Sequence, residues 1–234
     1  MKIAIVSAIW QRERLTEIFL KSVQRYWKDY GIPTMIAGSE GVKTREMCLD
    51  YGAGYVEAPN RPLGAKFIKA SVAAWANYNP DALMILGSDD FVNHSVIYRY
   101  QICLEQKWDV VGFRDCYFYD NRTKQAAYWG GYTVKHRQGE SIGMGRLLSR
   151  RVYEKLKGRL WMANINAGLD WVMTQKIKKH KDLKHRILSV KGNNHVLVDV
   201  KGFGNLSDWG CYDLEPVDNG VFNTIPEMYE IQQL

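Results

Sequence analysis

The sequence predicts a single-domain α/β protein of the Rossmann-like type, with a mostly parallel, mixed sheet flanked by helices. Three observations predict it. Short β-rich runs alternate with helix-period runs through the first half of the chain, a pattern that places parallel strands under helices on both faces. Ala82-Leu83-Met84-Ile85-Leu86 is the most apolar strand, as a central position covered on both faces requires. With 234 residues, 46% of them hydrophobic, the chain can bury one sizeable core.

Lys2 to Ser7 reads as the first strand. Leu15, Ile18, Phe19, Ser22, Val23, Tyr26 and Trp27 then recur on one helical face, and Gly31-Ile32-Pro33 stops that helix. Thr34 to Ala37 is a strand, Val42 to Asp50 a helix and Gly54 to Glu57 a short strand. The prolines of 58–62 forbid regular structure before a helix from about Leu63 to Asn77. The apolar strand at 82–86 runs into Gly87-Ser88-Asp89-Asp90, and a helix follows from His94 to Gln106. From Asp109 a strand extends to Arg114, and aromatic segments on either side of 120–124 form a small antiparallel hairpin. Gly139 to Gly145 reads as a flexible loop, with helices expected at Leu147 to Lys157 and Leu169 to Lys179. Strands near Arg186 to Val190 and His195 to Val200 close the sheet and leave an irregular tail from Gly202 to Leu234.

No run approaches the roughly 20 apolar residues of a membrane span, and Met1 to Val6 is too short for a signal peptide, so a cytoplasmic protein is expected. Cys48, Cys103, Cys116 and Cys211 are widely spread with no Cys-x-x-Cys pair, which points to reduced thiols rather than zinc or a disulfide framework. Net charge is +7, and basic residues crowd into 146–159 and 176–181. Such runs suit polyanionic partners, or are simply solvated helix faces.

Asp89-Asp90 carries the most chemistry. Adjacent carboxylates after a buried strand repel one another unless a cation offsets them, and the carboxyl ends of parallel strands are where ligands bind. A hard divalent ion, Mg²⁺ or Mn²⁺, is held by one or two carboxylates plus substrate phosphates. The alternative role is capping the helix that begins at His94.

Several segments, in order, resemble the GT-A fold glycosyltransferases, and within them glycosyltransferase family 2. Lys2 to Arg12 looks like that family's opening strand and loop, and Asn60-Arg61-Pro62-Leu63-Gly64-Ala65-Lys66 is similar to its Gly-containing basic segment. Ile85 to Asp90 looks like its D-x-D region, and Gly168-Leu169-Asp170-Trp171 is similar to the acidic pair heading a later helix. Two departures stand out: Gly87 where many members carry Asp, and Leu169 in place of an acid.

The resemblance implies transfer of a hexosyl or pentosyl unit from a nucleotide-sugar donor, inverting and dependent on Mn or Mg. It implies donor binding by the first loop (Ala8, Trp10, Arg12, Arg14), Lys66, Ser88 and Asp89, metal binding by Asp90, and Asp170 as general base. His195 is a candidate third metal ligand, as in some GT-A enzymes, with an ordinary surface or core histidine as the alternative. About 1–107 would form the nucleotide-sugar-binding half, about 108–200 the acceptor side, and 201–234 a tail or lid. Core packing for Trp10, a solvated helix start for Arg12 and Arg14, and N-terminal capping for Asp170 remain open beside these roles. A saccharide or, given the charge, modified DNA would serve as acceptor. Two other functions stay in view: a nucleic-acid-binding module without catalysis, and a nucleotidyltransferase, against which the glycine-free loop Ser7-Ala8-Ile9-Trp10 counts.

Overall fold

A computed structural model of the chain describes residues 1–205 and 209–234. Strands β1 (Ile3–Ala8), β2 (Thr34–Gly38) and β3 (Gly54–Glu57) alternate with helices α1 (Glu13–Tyr30), α2 (Val42–Asp50) and α3 (Leu63–Tyr78). Then come β4 (Ala82–Ile85), β5 (Asp90–Val92), α4 (His94–Glu105), β6 (Val110–Phe113) and the hairpin β7 (Cys116–Asp120) and β8 (Gln125–Trp129). The remainder supplies β9 (Leu147–Ser149), α5 (Arg150–Lys155), α6 (Leu169–Lys178), β10 (His185–Leu188), β11 (Leu197–Lys201), β12 (Leu214–Val217) and α7 (Glu227–Gln232).

There are two mixed sheets where one was expected. The first has the order β10-β6-β9-β4-β1-β2-β3, parallel except for β9, and the second the order β12-β8-β7-β11-β5. The apolar β4 lies inside the first sheet between β1 and β9, every side chain buried. Asp90 does not end that strand. It opens β5, which pairs antiparallel with β11 in the second sheet and so carries the acid across the boundary between sheets.

The α1 stripe buries Leu15, Ile18, Phe19, Ser22, Val23 and Tyr26, as their spacing of three and four requires. Trp27, expected on that face, is exposed. Gly31, in the left-handed region at φ 64°, ends the helix by donating its N–H to the Trp27 carbonyl.

Two expectations about the second half are corrected. Leu147–Ser149 is a strand wedged between β4 and β6, and the helix begins only at Arg150. The tail is also more ordered than expected. β12 extends the hairpin sheet, and α7 docks on α1 through a two-pronged ion pair of Arg25 with Glu227 (2.8 Å for each contact) and through Lys21 with Glu230 (2.6 Å). The expected tail or lid at 201–234 includes Leu206, Ser207 and Asp208, which lie outside the described residues. In the glycine-rich loop at 139–145 Glu140, Ser141 and Ile142 are buried. Among the described residues no helix is long and apolar enough to cross a membrane. All four cysteines are free thiols.

Candidate active site

A cleft of about 400 Å³ opens at the carboxyl ends of β1 and β4, where the two sheets meet. Its first wall is the loop after β1. Gln11 and Arg12 both adopt left-handed backbone conformations (φ 54° and 55°), uncommon for side chains with a Cβ. The turn holds because its polar groups are satisfied: the Gln11 N–H donates to Glu40 Oε2 (2.9 Å), and the Arg12 carbonyl accepts the N–H of Thr16 (2.8 Å). Arg12 is thereby aimed across the cleft, donating to Asp89 Oδ2 and Ser88 Oγ, each at 2.8 Å. Trp10 lines the cleft and is 43% exposed, which removes core packing as its role.

Lys66 reaches the same space with a different job. Its ammonium is buried and donates to the Ile9 carbonyl (2.5 Å), Ser39 Oγ (3.1 Å) and Asn60 Oδ1 (3.3 Å), so its three N–H groups tie together the three loops that form the wall. Burial pushes its pKa down to about 8.

The twin acids are not helix caps; Asn93 caps α4, accepting from the Val96 N–H. Asp89 accepts from Arg12 and from Asn205 Nδ2 (2.6 Å). Asp90 is buried and accepts the Gly87 N–H (2.6 Å). At Gly87, where the resemblance leads one to expect an acid, the two carboxylates fold back over the backbone. A Cβ there would fall 2.6 Å from Asp89 Oδ1 and 2.9 Å from Asp90 Oδ2.

The partner the sequence reading missed is Asp199. It faces Asp90 directly across the β5–β11 ladder and lines the cleft. Oδ2 accepts from Lys201 Nζ (2.7 Å), while Oδ1 is buried without a hydrogen-bond donor among the described residues. Burial, then the charges of Asp89 and Asp199, raise the Asp90 carboxyl well above the usual carboxylate range. Burial pushes Asp199 up to about 6 against the pull of Lys201. The signal in the sequence was an alternation: Val198-Asp199-Val200-Lys201 puts two charges on one face of an otherwise apolar strand.

Two expected site residues lie elsewhere. His195 does not line the cleft; it precedes β11, packs edge-on to Phe113 and meets Ser95 Oγ through Nδ1 at 2.9 Å. Arg14, in the first turn of α1, points to Glu17 and Glu230 and is also outside the cleft.

A second cavity, about 330 Å³, adjoins the cleft and shares Gly87 and Asp90 with it. Leu63, Phe67, Trp161 and Met173 give it apolar walls, and Asp170 and Arg146 bring the charges. Asp170 does not cap α6. Its Oδ2 accepts from Tyr132 Oη (2.6 Å) and Arg137 Nη2 (2.5 Å), and no hydrogen bond among the described residues reaches Oδ1. Burial pushes the Asp170 pKa up, but the bonds from Tyr132 and Arg137 outweigh it and hold the acid below its ordinary range. Arg146, fully buried, braces the helix start by donating to the Asp170 carbonyl (3.1 Å) and Thr174 Oγ1 (3.0 Å).

Part of the basic run is committed to contacts within the fold. Lys176 donates to the Arg159 and Trp161 carbonyls (2.7 Å each), and Lys178 pairs with Glu140 (2.6 Å). Those charges are fold contacts rather than a free polyanion surface.

No protein-family model and no curated protein sequence matches the chain. Solved structures do resemble it. S. aureus TarS 1-349 superposes with a TM-score of 0.58 at 11% identity, over 86% of this chain and 60% of that one. A longer TarS structure gives 0.59 at 11%, over 86% of this chain and 37% of that one. Glucosyl-3-phosphoglycerate synthase from Mycobacterium tuberculosis, in complex with Mn²⁺, uridine diphosphate and glucosyl-3-phosphoglycerate, gives 0.52 at 13%, over 86% and 72% of the two chains. The chain thus spans little more than a third to three-fifths of the TarS structures it resembles. It has the GT-A glycosyltransferase fold that the sequence motifs implied.

Proposed function

We propose that the protein transfers a sugar, hexosyl or pentosyl, from a nucleotide-diphosphate donor to an acceptor hydroxyl with inversion. The observation that carries this reading is the junction of the two cavities: cations and acids line one, Asp170 lies in the other, and Asp90 borders both. A bound diphosphate would meet Arg12 and Lys201 in the cleft, with the base against the exposed face of Trp10 and the sugar toward Asp90. The acceptor would enter beside Asp170. As its oxygen attacks the anomeric carbon, the hydroxyl proton passes to Asp170 and the bond to the diphosphate breaks on the opposite face, which inverts configuration. Arg137 and Tyr132 keep Asp170 ionised and fixed in direction. Support comes from the shared fold, including the synthase crystallised with Mn²⁺ and uridine diphosphate.

The residues present fit a divalent ion of the kind completed by substrate. Among the described residues no group of three or more His, Cys, Asp or Glu side chains forms a ready-made cage, and Asp89 is committed to Arg12 and Asn205. Asp90 and Asp199 remain, both hard oxygen donors, the latter with its buried Oδ1 unpartnered. Mg²⁺ and its like are commonly bound by one or two carboxylates plus substrate phosphates. When bound, the ion supplies positive charge against the departing diphosphate.

Thermal denaturation with nucleoside diphosphates and Mn²⁺ tests the donor cleft. One of UDP, GDP, ADP, CDP or dTDP at about 100 times its Kd adds roughly 2.7 kcal/mol of stability, a rise of several degrees. In Trp10→Ala the affinity falls by about 1–3 kcal/mol, the worth of one base stack, with the unliganded melting temperature little changed because the ring is half exposed. No shift with any of the five would count against a nucleotide site, and full affinity in Trp10→Ala would remove the stacking role.

A further inference from the structure

The cleft contains one cation whose placement no motif foretold. Lys201 lies on β11 two residues after Asp199 and so on the same sheet face. It is 3% exposed, yet it lines the cleft beside the three carboxylates. Its ammonium is steadied over the rings of Phe118 (4.9 Å) and Tyr212 (5.3 Å). Burying an ammonium is costly unless it is paired and hydrogen-bonded, so its donors matter. Lys66 spends all three N–H groups on the walls. Arg12 commits one N–H of Nη1 to Asp89 and one of Nη2 to Ser88 and keeps three more on a loop, and Arg61 is exposed at the mouth. Lys201, buried on a strand rather than carried by a loop, makes one hydrogen bond among the described residues, to Asp199, and keeps donor capacity inside the cleft.

We infer that Lys201 is a built-in cation of the diphosphate subsite, holding a nucleoside diphosphate there even when no divalent ion is present. This rests on the proposed nucleotide-sugar reading and adds to it. Donor binding and divalent-ion binding become separable: the ion would assist departure of the diphosphate, while Lys201, a binding residue fixed by the fold, secures its binding. A phosphate oxygen is a charge-assisted acceptor of the kind an ammonium binds well, and Lys201 can donate to it while staying on Asp199 Oδ2.

Isothermal titration with the same five nucleoside diphosphates, each in EDTA and in Mn²⁺, tests this on the full chain. Wild type is expected to bind its nucleotide in EDTA within roughly tenfold of the affinity in Mn²⁺, and Lys201→Met to lose about tenfold or more in EDTA, the worth of one charge-assisted hydrogen bond. Added Mn²⁺ should restore most of that loss, and Lys201→Arg should retain binding in EDTA. Should Lys201→Met strand Asp199 and fail to fold, the double variant Asp199→Asn/Lys201→Met removes the pair together and is read in EDTA, where the same loss is expected. Wild-type binding that needs Mn²⁺ absolutely, or EDTA binding unchanged in a folded variant lacking Lys201, overturns the inference and leaves the nucleotide site standing. Absence of binding to wild type in both buffers overturns the two together.

Discussion

Asp90→Asn is expected to lower turnover by about 100- to 1,000-fold, the scale reached when one preorganised electrostatic group at a reacting centre is lost. The same variant is expected to melt a few degrees above wild type at neutral pH without ligand. Both effects have one cause. Asp90 is buried, faces Asp199 across the ladder and adjoins Asp89, so its folded-state pKa is raised well above the usual carboxylate value. A carboxyl whose pKa is raised by folding binds its proton more tightly in the folded state. Stability therefore falls as pH climbs above the ordinary carboxylate pKa, and at neutral pH the penalty is present. Asparagine keeps an oxygen for the Gly87 N–H and removes the repulsion. Steady-state kinetics and melting curves on one preparation check the pair of outcomes; a variant with wild-type turnover would remove Asp90 from the site.

Asp170→Asn is expected to reduce kcat by about 100- to 10,000-fold, the range for loss of a general base, with nucleoside diphosphate affinity unchanged. The introduced amide oxygen still accepts from Tyr132 and Arg137, so α6 stays in place; what disappears is a group that can take the acceptor's proton. Because the chemistry is lost while donor binding persists, kcat should fall and donor KM should not rise. Equal loss of nucleotide affinity would instead mark Asp170 as part of the donor wall.

Part of the cleft's lining was readable from residue order. The alternation of strands and helices through β4 follows from hydrophobic period together with the Gly and Pro stops, and Asp89, Trp10 and Arg12 stand in the loops that follow β4 and β1. What escaped depended on contacts distant in sequence. Leu147–Ser149 is too short for a period to show, and its strand state comes from the gap between β4 and β6. His195 was chosen for its chemistry, but the β5–β11 register puts Asp199 opposite Asp90 instead. Lys66 carries the expected charge, yet burial turned it inward to bind the loops. The tail has weak local patterning; α7 is held by Arg25 and Lys21, some 200 residues away in sequence.

Sugar transfer is tested most directly by incubating the protein and Mn²⁺ with nucleotide sugars and simple hydroxyl acceptors, and with nucleoside triphosphates and sugar phosphates in parallel, while following every phosphate product. The expected result is one nucleotide sugar converted to its nucleoside diphosphate in step with a glycosylated acceptor, and no reaction of the triphosphates. Release of pyrophosphate from a triphosphate, with every nucleotide sugar left intact, would contradict the account.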